Sequence, residues 1–152
     1  MSSIGKEGER PTRSTAGGSA QVGKEGERPT RSTAEGSAQL VDKPWGHELI
    51  WAKTSKYVGK ILHIKAGEAL SLQFHNVKDE TIMLLSGRMQ LVYFADGEEP
   101  RSRELVPREP VHITPGLRHR MIAIEDTDVV EVSTPELDDV VRLEDRYGRS
   151  QK

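Results

Sequence analysis

The stretch between Gly67 and Gly87 constrains the fold of this chain more than any other. Gln73 and His75 lie two positions apart in an apolar run, and because side chains alternate along a β-strand, both point to the same face. A polar break then precedes Glu80, which begins a second apolar run. A hairpin of this shape returns Glu80 to the side of the first strand. Two oxygens and one imidazole nitrogen converge there, as in sites for divalent metals.

Short strand-like runs separated by turn residues occupy most of the chain after its first forty residues. We predict strands at 47–53, 57–65, 69–76, 80–85, 88–94, 104–106, 111–114, 119–125 and 129–133. Turn signals at a spacing of roughly 8–12 residues are typical of an all-β sandwich or barrel. The end of the chain differs, because apolar residues at near-helical spacing in 137–147 predict a short C-terminal helix that stops at Gly148.

The first forty residues differ in composition from the rest. Residues 5–22 recur as 23–40 with two substitutions, and both copies are rich in Gly, Ser, Thr, Pro, Glu and Arg. Such a segment buries too little apolar surface to offset its conformational entropy. We therefore predict a disordered N-terminal tail at 1–40 and one folded domain at 41–152. The alternative is an interaction motif that the tail displays twice.

Charge and composition exclude several classes of protein. The formal net charge is −2 and the acids and bases are interspersed, which gives no basis for nucleic-acid binding. Without cysteine, the chain has neither a disulfide framework nor a cysteine-based metal site. No apolar run approaches the roughly 18 residues of a membrane helix, and the N-terminus lacks the apolar core of a secretory signal. We expect a cytoplasmic protein that does not enter a membrane.

A second informative stretch is PGLRH at 115–119. Pro-Gly makes a tight turn, and His119 then begins a strand that faces back across the barrel. Together with the first stretch it predicts four metal ligands: Gln73, His75, Glu80 and His119. A lone histidine on a strand is more often a hydrogen-bonded structural residue. We assign that structural role to the histidines without such companions, which are His47, His63 and His112.

The spacing of these residues resembles the two motifs of the cupin family. It reads Gly67…Gln73-x-His75-x4-Glu80-x6-Gly87, followed by Pro115-Gly116-x2-His119. Other segments resemble the cupin domain of the bacterial type II mannose-6-phosphate isomerases, which is usually joined to a mannose-1-phosphate guanylyltransferase. These segments are 43–46, 65–73, 119–120 and 142–149. The resemblance implies a double-stranded β-helix, or jelly-roll barrel, with a metal inside its mouth.

The resemblance also implies a cofactor and an activity. The expected metal is Zn²⁺, although the mixed nitrogen and oxygen ligand set also suits Fe²⁺, Mn²⁺, Co²⁺ or Ni²⁺. The expected reaction is aldose–ketose isomerisation of a sugar phosphate, most simply mannose 6-phosphate to fructose 6-phosphate through an enediol. Such a reaction needs a base near the migrating proton and a cation beside the developing oxyanion.

By the same resemblance, Glu131 is the expected general base and Arg142 the group that stabilises the oxyanion. A structural role stays open for both, since Glu131 can face solvent from its strand and Arg142 can form a surface ion pair. Lys78 and Arg149 are the expected ligands of the substrate phosphate, because lysine and arginine donate hydrogen bonds to phosphate oxygens.

Two other functions stay open at the level of the sequence. One is a non-catalytic cupin that binds a sugar or sugar phosphate through the same pocket, and the other is a metal-dependent oxygenase. The resemblance further leads us to expect a homodimer, because small cupins frequently pair through their sheets.

Overall fold

The computed structural model describes residues 37–149. Nearly all of the predicted tail, including most of both repeats, therefore lies outside the described residues. The described part contains eleven β-strands and no helix. The strands are β1 Gln39–Lys43, β2 Gly46–Lys53, β3 Val58–Ile64, β4 Leu72–Phe74, β5 Glu80–Ser86, β6 Met89–Phe94, β7 Arg101–Glu104, β8 Pro110–Ile113, β9 Arg118–Ala123, β10 Thr127–Ser133 and β11 Val141–Glu144.

The strands form two antiparallel sheets. The six-stranded sheet has the order β1-β2-β3-β10-β5-β8, and the five-stranded sheet has the order β11-β4-β9-β6-β7. Both sheets contribute to one apolar core, in which Leu62 and Val129 of the first sheet join Leu91 and Met121 of the second. The predicted all-β class is confirmed. Among residues 37–149 there is no helix that could cross a membrane.

The predicted C-terminal helix is wrong. Residues 137–138 form a turn, and after two more residues the chain enters β11, which pairs with β4 through Val141 opposite Phe74 and Arg142 opposite Gln73. A near-helical spacing of four apolar residues is a weak signal over so short a segment, and the open edge of β4 offers hydrogen bonds that a helix would leave unmade. The tertiary pairing therefore overrides the local pattern.

The turn between β5 and β6 explains one of the glycines that frame the first motif. The φ angle of Gly87 is 80°. A Cβ at this position would lie 2.1 Å from the carbonyl oxygen of Asp126. Only glycine combines this left-handed backbone with so close an approach of a neighbouring chain segment.

The interior divides into two halves along the barrel. On β5 and β9 the inward positions change from a charged or imidazole side chain at one end, Glu80 or His119, to apolar side chains at the other. Lys60 on β3 and Glu131 on β10 lie towards the same end as Glu80, and Leu62 and Val129 follow them towards the other end. The charged half contains Lys60, His75, Lys78, Glu80, His119 and Glu131. The apolar half contains Leu62, Ile64, Leu84, Met89, Leu91, Met121, Ala123 and Val129. Both halves are buried, so the polar groups of the first half must find partners inside the protein.

Candidate metal centre

Three side chains from separate parts of the chain meet in the charged half. His75 follows β4, Glu80 is the first residue of β5, and His119 lies in β9. A ligand atom of each lies within 4.8 Å of the others. Oε1 of Glu80 is 3.5 Å from Nε2 of His75 and 3.3 Å from Nε2 of His119. All three side chains are at most 2% exposed.

The hydrogen bonds of the two histidines define which nitrogen faces the centre. Nδ1 of His75 donates to the carbonyl oxygen of Asp139, and Nδ1 of His119 donates to that of Leu117 at 3.0 Å. Each Nε2 is buried and has no hydrogen-bond partner in the described part of the chain. Their lone pairs therefore point at Oε1 of Glu80, so three hydrogen-bond acceptors face one another. This arrangement costs free energy unless a cation or a proton lies between them.

A divalent metal fits this arrangement. Neutral imidazoles that donate their other N–H to a carbonyl are typical metal ligands, because that bond fixes the tautomer and the ring orientation. Two imidazole nitrogens and one carboxylate oxygen suit Zn²⁺ and its first-row neighbours. His75, Glu80 and His119 are the residues that would hold the ion.

Gln73 lies beside this group on the neighbouring strand. It is paired with His119 across β4 and β9, so the two side chains share the inner face of the sheet. Its Oε1 accepts a hydrogen bond of 2.6 Å from Oγ of Ser71. Gln73 as a fourth ligand stays a prediction, and Ser71 is the group that orients its amide.

Asp139 fixes the loop that carries His75. Its carboxylate accepts hydrogen bonds from the backbone amides of Asn76 at 3.0 Å, Val77 at 2.7 Å and Lys78 at 2.8 Å. These bonds, the one from Lys78 foremost, hold the pKa of Asp139 far below its usual range. The same residue thus orients the imidazole through its carbonyl and the loop through its carboxylate.

A glycine secures the other side of this loop. The backbone amide of Gly116 donates to the carbonyl oxygen of His75 at 2.8 Å, and the φ angle of Gly116 is 85°. A β-carbon would disfavour that left-handed backbone. The turn before His119 is therefore bonded directly to the segment that carries His75.

Lys78 lies between two buried carboxylates. It is 4% exposed, and its Nζ donates to Oε2 of Glu80 and, at 2.8 Å, to Oε1 of Glu131. Burial by itself lowers the pKa of Lys78, but the charges of Glu131 and Glu80 outweigh it and raise that pKa. Lys78 is therefore a stable ammonium group whose hydrogen bonds go to protein carboxylates.

Glu80 keeps its negative charge in spite of burial. Burial by itself raises the pKa of Glu80, but the neighbouring imidazoles of His119 and His75 and the charge of Lys78 outweigh it and hold that pKa well below the usual range. An ionised carboxylate is the form in which a glutamate binds a metal.

A cavity of about 250 Å³ opens next to these residues. Glu131, Arg142 and Arg149 all line it, as do Gln73 and Lys78. The cavity thus joins the predicted base, the predicted oxyanion group and the predicted phosphate ligands to the candidate metal centre.

The two arginines of the cavity differ in their partners. Arg149 is paired with Asp145, to which its Nε and Nη2 donate at 3.0 and 2.6 Å. Arg142 makes no ion pair with any residue in the range 37–149, and its buried Nε has no hydrogen-bond partner there. Arg142 can therefore donate hydrogen bonds to an anionic or carbonyl oxygen in the cavity.

Sequence reasoning missed three residues of this site. Lys60 and Glu48 line the cavity, and Asp139 supports it. A signal for Lys60 exists, because it occupies an inward position of β3 between the buried Val58 and Leu62. A charged residue on the apolar face of a strand indicates a functional or paired group. Asp139 carries no such signal, since its bonds reach residues more than 60 positions away.

Comparisons with known proteins agree with this fold and site. Residues 31–145 match the family described as "Mannose-6-phosphate isomerase C-terminal". The mannose-1-phosphate guanylyltransferases of Salmonella typhimurium, named ManC, and of Escherichia coli are each 32% identical over 114 residues, or 72% of this chain. The chain spans 23% of the length of these curated relatives.

Solved structures resemble the chain in fold. The capsular polysaccharide assembling protein CapF from Staphylococcus aureus matches with a TM-score of 0.61 and 20% identity, over 72% of this chain and 35% of that one. KdgF from Halomonas matches with a TM-score of 0.56 and 21% identity, over 66% of this chain and 91% of that one. Oxalate decarboxylase from Lactobacillus farciminis matches with a TM-score of 0.61 and 13% identity, over 70% of this chain and 34% of that one.

Sequence and structure therefore agree on one assignment. The predicted resemblance to the cupins is confirmed by the family match, which covers most of the chain, and by the cupin fold of the structural neighbours. The chain belongs to the mannose-6-phosphate isomerase C-terminal family of cupin domains.

Proposed function

We propose that this protein is a metal-dependent sugar-phosphate isomerase that interconverts mannose 6-phosphate and fructose 6-phosphate. The observation that carries the proposal is the convergence of His75, Glu80 and His119 beside a cavity that also exposes Glu131 and Arg142. The family match supports the substrate class. The curated relatives are named for guanylyltransferase activity, and this chain corresponds to less than a quarter of their length.

In the proposed reaction Glu131 is the general base. It is 4% exposed and lines the cavity, so its carboxylate can move a proton between C1 and C2 of an open-chain sugar. Arg142 donates to the oxygen that becomes negative, and burial of the site strengthens this interaction. A bound divalent ion, with Zn²⁺ as the first candidate, would supply Lewis-acid stabilisation of the same charge.

Arg149 is the proposed phosphate ligand. Its guanidinium stacks 5.1 Å from the ring centre of Tyr147 and is paired with Asp145, so phosphate would have to compete with that carboxylate. Lys78 was predicted for the same role from the sequence. Because Lys78 bridges two buried carboxylates, we assign phosphate binding chiefly to Arg149.

The test is a coupled isomerase assay on zinc-loaded protein, with Glu131→Gln as the key variant. We expect turnover of mannose 6-phosphate by the wild type and its loss in Glu131→Gln, with bound zinc unchanged. Glu125→Gln is the matched control, because its side chain is 57% exposed and does not line the cavity. A zinc-loaded wild type without turnover would rule out the isomerase, and loss of zinc in Glu131→Gln would contradict the assigned role.

A second candidate function is a cupin that binds a sugar phosphate without converting it. The observation that favours it is the pairing of Glu131 with two lysines, since these ion pairs already occupy one oxygen of the carboxylate that would have to reach the sugar. This candidate predicts binding of mannose 6-phosphate by calorimetry in a protein that shows no turnover. The oxygenase alternative predicts oxygen uptake with Fe²⁺ instead.

We also propose that two copies of the chain pair through the outer face of the six-stranded sheet. The strand register places one apolar residue of every strand in a single row across that face. The row is Leu40, Leu49, Ile61, Val130, Met83 and Pro110. Next to it lie Trp51 and Val132, each 46% exposed.

The size and the polar border of this outer face are suited to pairing with a second copy of the chain. Six strands about 4.8 Å apart and several residues long give this face a flat area of roughly 600 Å². In a standard interface each partner buries roughly 800 Å² of accessible surface, which is an area of similar size. A row of Asp42, His47, His63 and Asp128 borders the apolar row. Because it holds carboxylates and imidazoles together, a two-fold axis can bring hydrogen-bond donors opposite acceptors.

The oligomeric state decides this proposal. We expect a dimer by light scattering after gel filtration, and a monomer for Val132→Lys. Val92→Lys is the matched control, since Val92 lies on the outer face of the five-stranded sheet beside Arg120 and Ser102. A monomeric wild type, or dissociation by both substitutions, would contradict pairing through the six-stranded sheet.

A further inference from the structure

A line of alternating charges runs through the charged half of the barrel and ends at the candidate metal centre. We call it the charge ladder, and its members in order are Lys43, Glu48, Lys60, Glu131, Lys78 and Glu80. The proposed function uses its last three members. Glu48 and Lys60 have no role in that chemistry, although both line the same cavity.

Lys60 is a costly residue at its position. It is 8% exposed and lies at an inward site of β3 between Val58 and Leu62. Replacing a buried ion pair by apolar residues of similar size is often neutral or stabilising. Stability alone therefore does not explain a lysine here, and a role in the site does.

The carboxylates of the ladder use their oxygens in different ways. Glu48 uses both, since Oε1 is 3.6 Å from Lys43 and Oε2 is 3.7 Å from Lys60. Glu80 also uses both, with Oε2 on Lys78 and Oε1 facing the histidines. These two residues act as bridges between successive groups.

Glu131 is the exception. Oε1 of Glu131 is 3.7 Å from Nζ of Lys60 and 2.8 Å from Nζ of Lys78, so both ammonium groups meet at a single oxygen. Among the residues that the structure describes, no hydrogen bond reaches Oε2 of Glu131. Oε1 of Glu131 is thus held by two ammonium groups, whereas Oε2 is held by neither.

We propose that Lys60, itself held by Glu48, is a positioning residue that orients Glu131. By sharing Oε1 with Lys78 it resists rotation of the carboxylate, so that the lone pairs of Oε2 stay available to a bound sugar. This inference rests on the proposed function, in which Glu131 is the base. It adds two residues, Lys60 and Glu48, that do not touch the reacting atoms.

The first test compares Lys60→Met, Lys60→Arg and Lys65→Met. Methionine keeps the unbranched stem of lysine without the ammonium group, arginine restores the charge, and Lys65 is an exposed lysine directly after β3. In Lys60→Met we expect kcat to fall on the order of 10²-fold, the cost of a misplaced catalytic group, with little change in KM and in bound zinc. Lys60→Arg should recover most of the loss, and Lys65→Met should match the wild type.

Crystal structures of the wild type and Lys60→Met give a second readout that does not depend on activity. We expect the Glu131 carboxylate to be rotated or split between two orientations in Lys60→Met. If wild-type protein lacks isomerase activity, the proposed function fails, and the orientation of Glu131 still decides whether Lys60 positions it. A Glu131 carboxylate that keeps its orientation in Lys60→Met would overturn the inference.

Glu48→Gln covers the case in which Lys60→Met does not fold. It removes the charge that holds Lys60 while keeping the shape of the side chain, so we expect the same split between kcat and KM with a smaller fall in kcat. Wild-type kcat in Glu48→Gln, or an equal loss in Lys60→Arg and Lys60→Met, would also overturn the inference.

Discussion

The apolar half and the charged half of the barrel interior are equally buried and are held together in different ways. Leu84 in the apolar half is 0% exposed, and Glu80 in the charged half is 2% exposed. The first is stabilised by removal of apolar surface from water, worth about 25 cal/mol per Å². The second contains ionised groups whose desolvation cost is offset only by their mutual pairing.

This difference shows that the charged half is the less favourable part of the interior for the stability of the fold. An apolar half tolerates the loss of one side chain as a cavity, whereas a charged half tolerates the loss of one partner poorly, because the remaining charge is left buried. The charged half also contains the three convergent candidate ligands and the proposed base. The desolvation cost of the charged half is therefore associated with the chemistry of the candidate site and not with folding.

The sharpest test of the comparison is Lys78→Met in the presence of a chelator. Without the ammonium group, Glu80 and Glu131 lose their shared partner inside the barrel. We expect the free energy of unfolding to fall by about 3–5 kcal/mol in urea titrations at pH 7. Lys56→Met, at an exposed turn, is the control and should change little. If the free energy of unfolding falls by less in Lys78→Met than in an ordinary core truncation, the charged half is not more sensitive than the apolar half to the loss of one side chain.

The matching change in the apolar half is Leu84→Ala. It leaves a cavity in the core cluster, and we expect a loss of about 3 kcal/mol in the same urea titration. Because Leu84 is remote from the ligands along β5, zinc binding by the folded variant should be unaffected. Loss of zinc affinity measured by calorimetry would show that the two halves are mechanically coupled.

Metal removal acts on the charged half alone. At a hundredfold excess over Kd, a bound metal adds about 2.7 kcal/mol to the free energy of unfolding, so a chelator should lower Tm. His119→Ala should abolish this difference, because it removes one of the three convergent ligands. His112→Ala is the control, since His112 is exposed and bonded to Asp79. Equal melting curves with and without chelator would argue against a metal in the wild type.

The smallest expected effect concerns Asp139, at the border of the charged half. Because the folded pKa of Asp139 is lowered, its contribution is complete above its unfolded pKa of about 3.9 and is lost as the pH falls below that value. Asp139→Asn offers one acceptor oxygen instead of two, and we expect a loss of about 1 kcal/mol at pH 7 for this partly exposed group. The difference between the two free energies of unfolding should shrink below pH 4, as measured by unfolding curves at several pH values. A difference that stays constant with pH would contradict this role of Asp139.

The parts of the structure that local patterns encode could be predicted from the sequence. The two-residue spacing of Gln73 and His75 and the nearby Glu80 are local signals, and two of these residues, His75 and Glu80, do meet in the candidate metal centre. The predicted hairpin is wrong, because β4 pairs within the five-stranded sheet and β5 within the six-stranded sheet, so Glu80 reaches His75 across the interior. The strand pattern gave nine strands, with the edge strands β1 and β11 missed. Edge strands carry weak alternation because only one neighbour and one face constrain them.

Long-range polar contacts could not be predicted in this way. The bonds of Asp139 to residues 76–78 and the ion pairs of Lys60 depend on which strands become neighbours, which no window of the sequence contains. An acid in a turn and a lysine in a strand both have ordinary solvent-facing readings. The role of Lys60 emerges only when β10 is placed beside β3, and that of Asp139 only when β11 is placed beside β4.

The two tryptophans provide separate optical signals for the inside and the outside of the barrel. Trp45 is 2% exposed and lines the cavity, whereas Trp51 is 46% exposed and its indole lies over Gly59 on the outer sheet face. Since the chain has no other tryptophan, Trp51→Phe leaves a single fluorophore at the cavity wall. Quenching of its emission by Co²⁺ or Ni²⁺ would then report ion uptake directly, without an enzymatic assay.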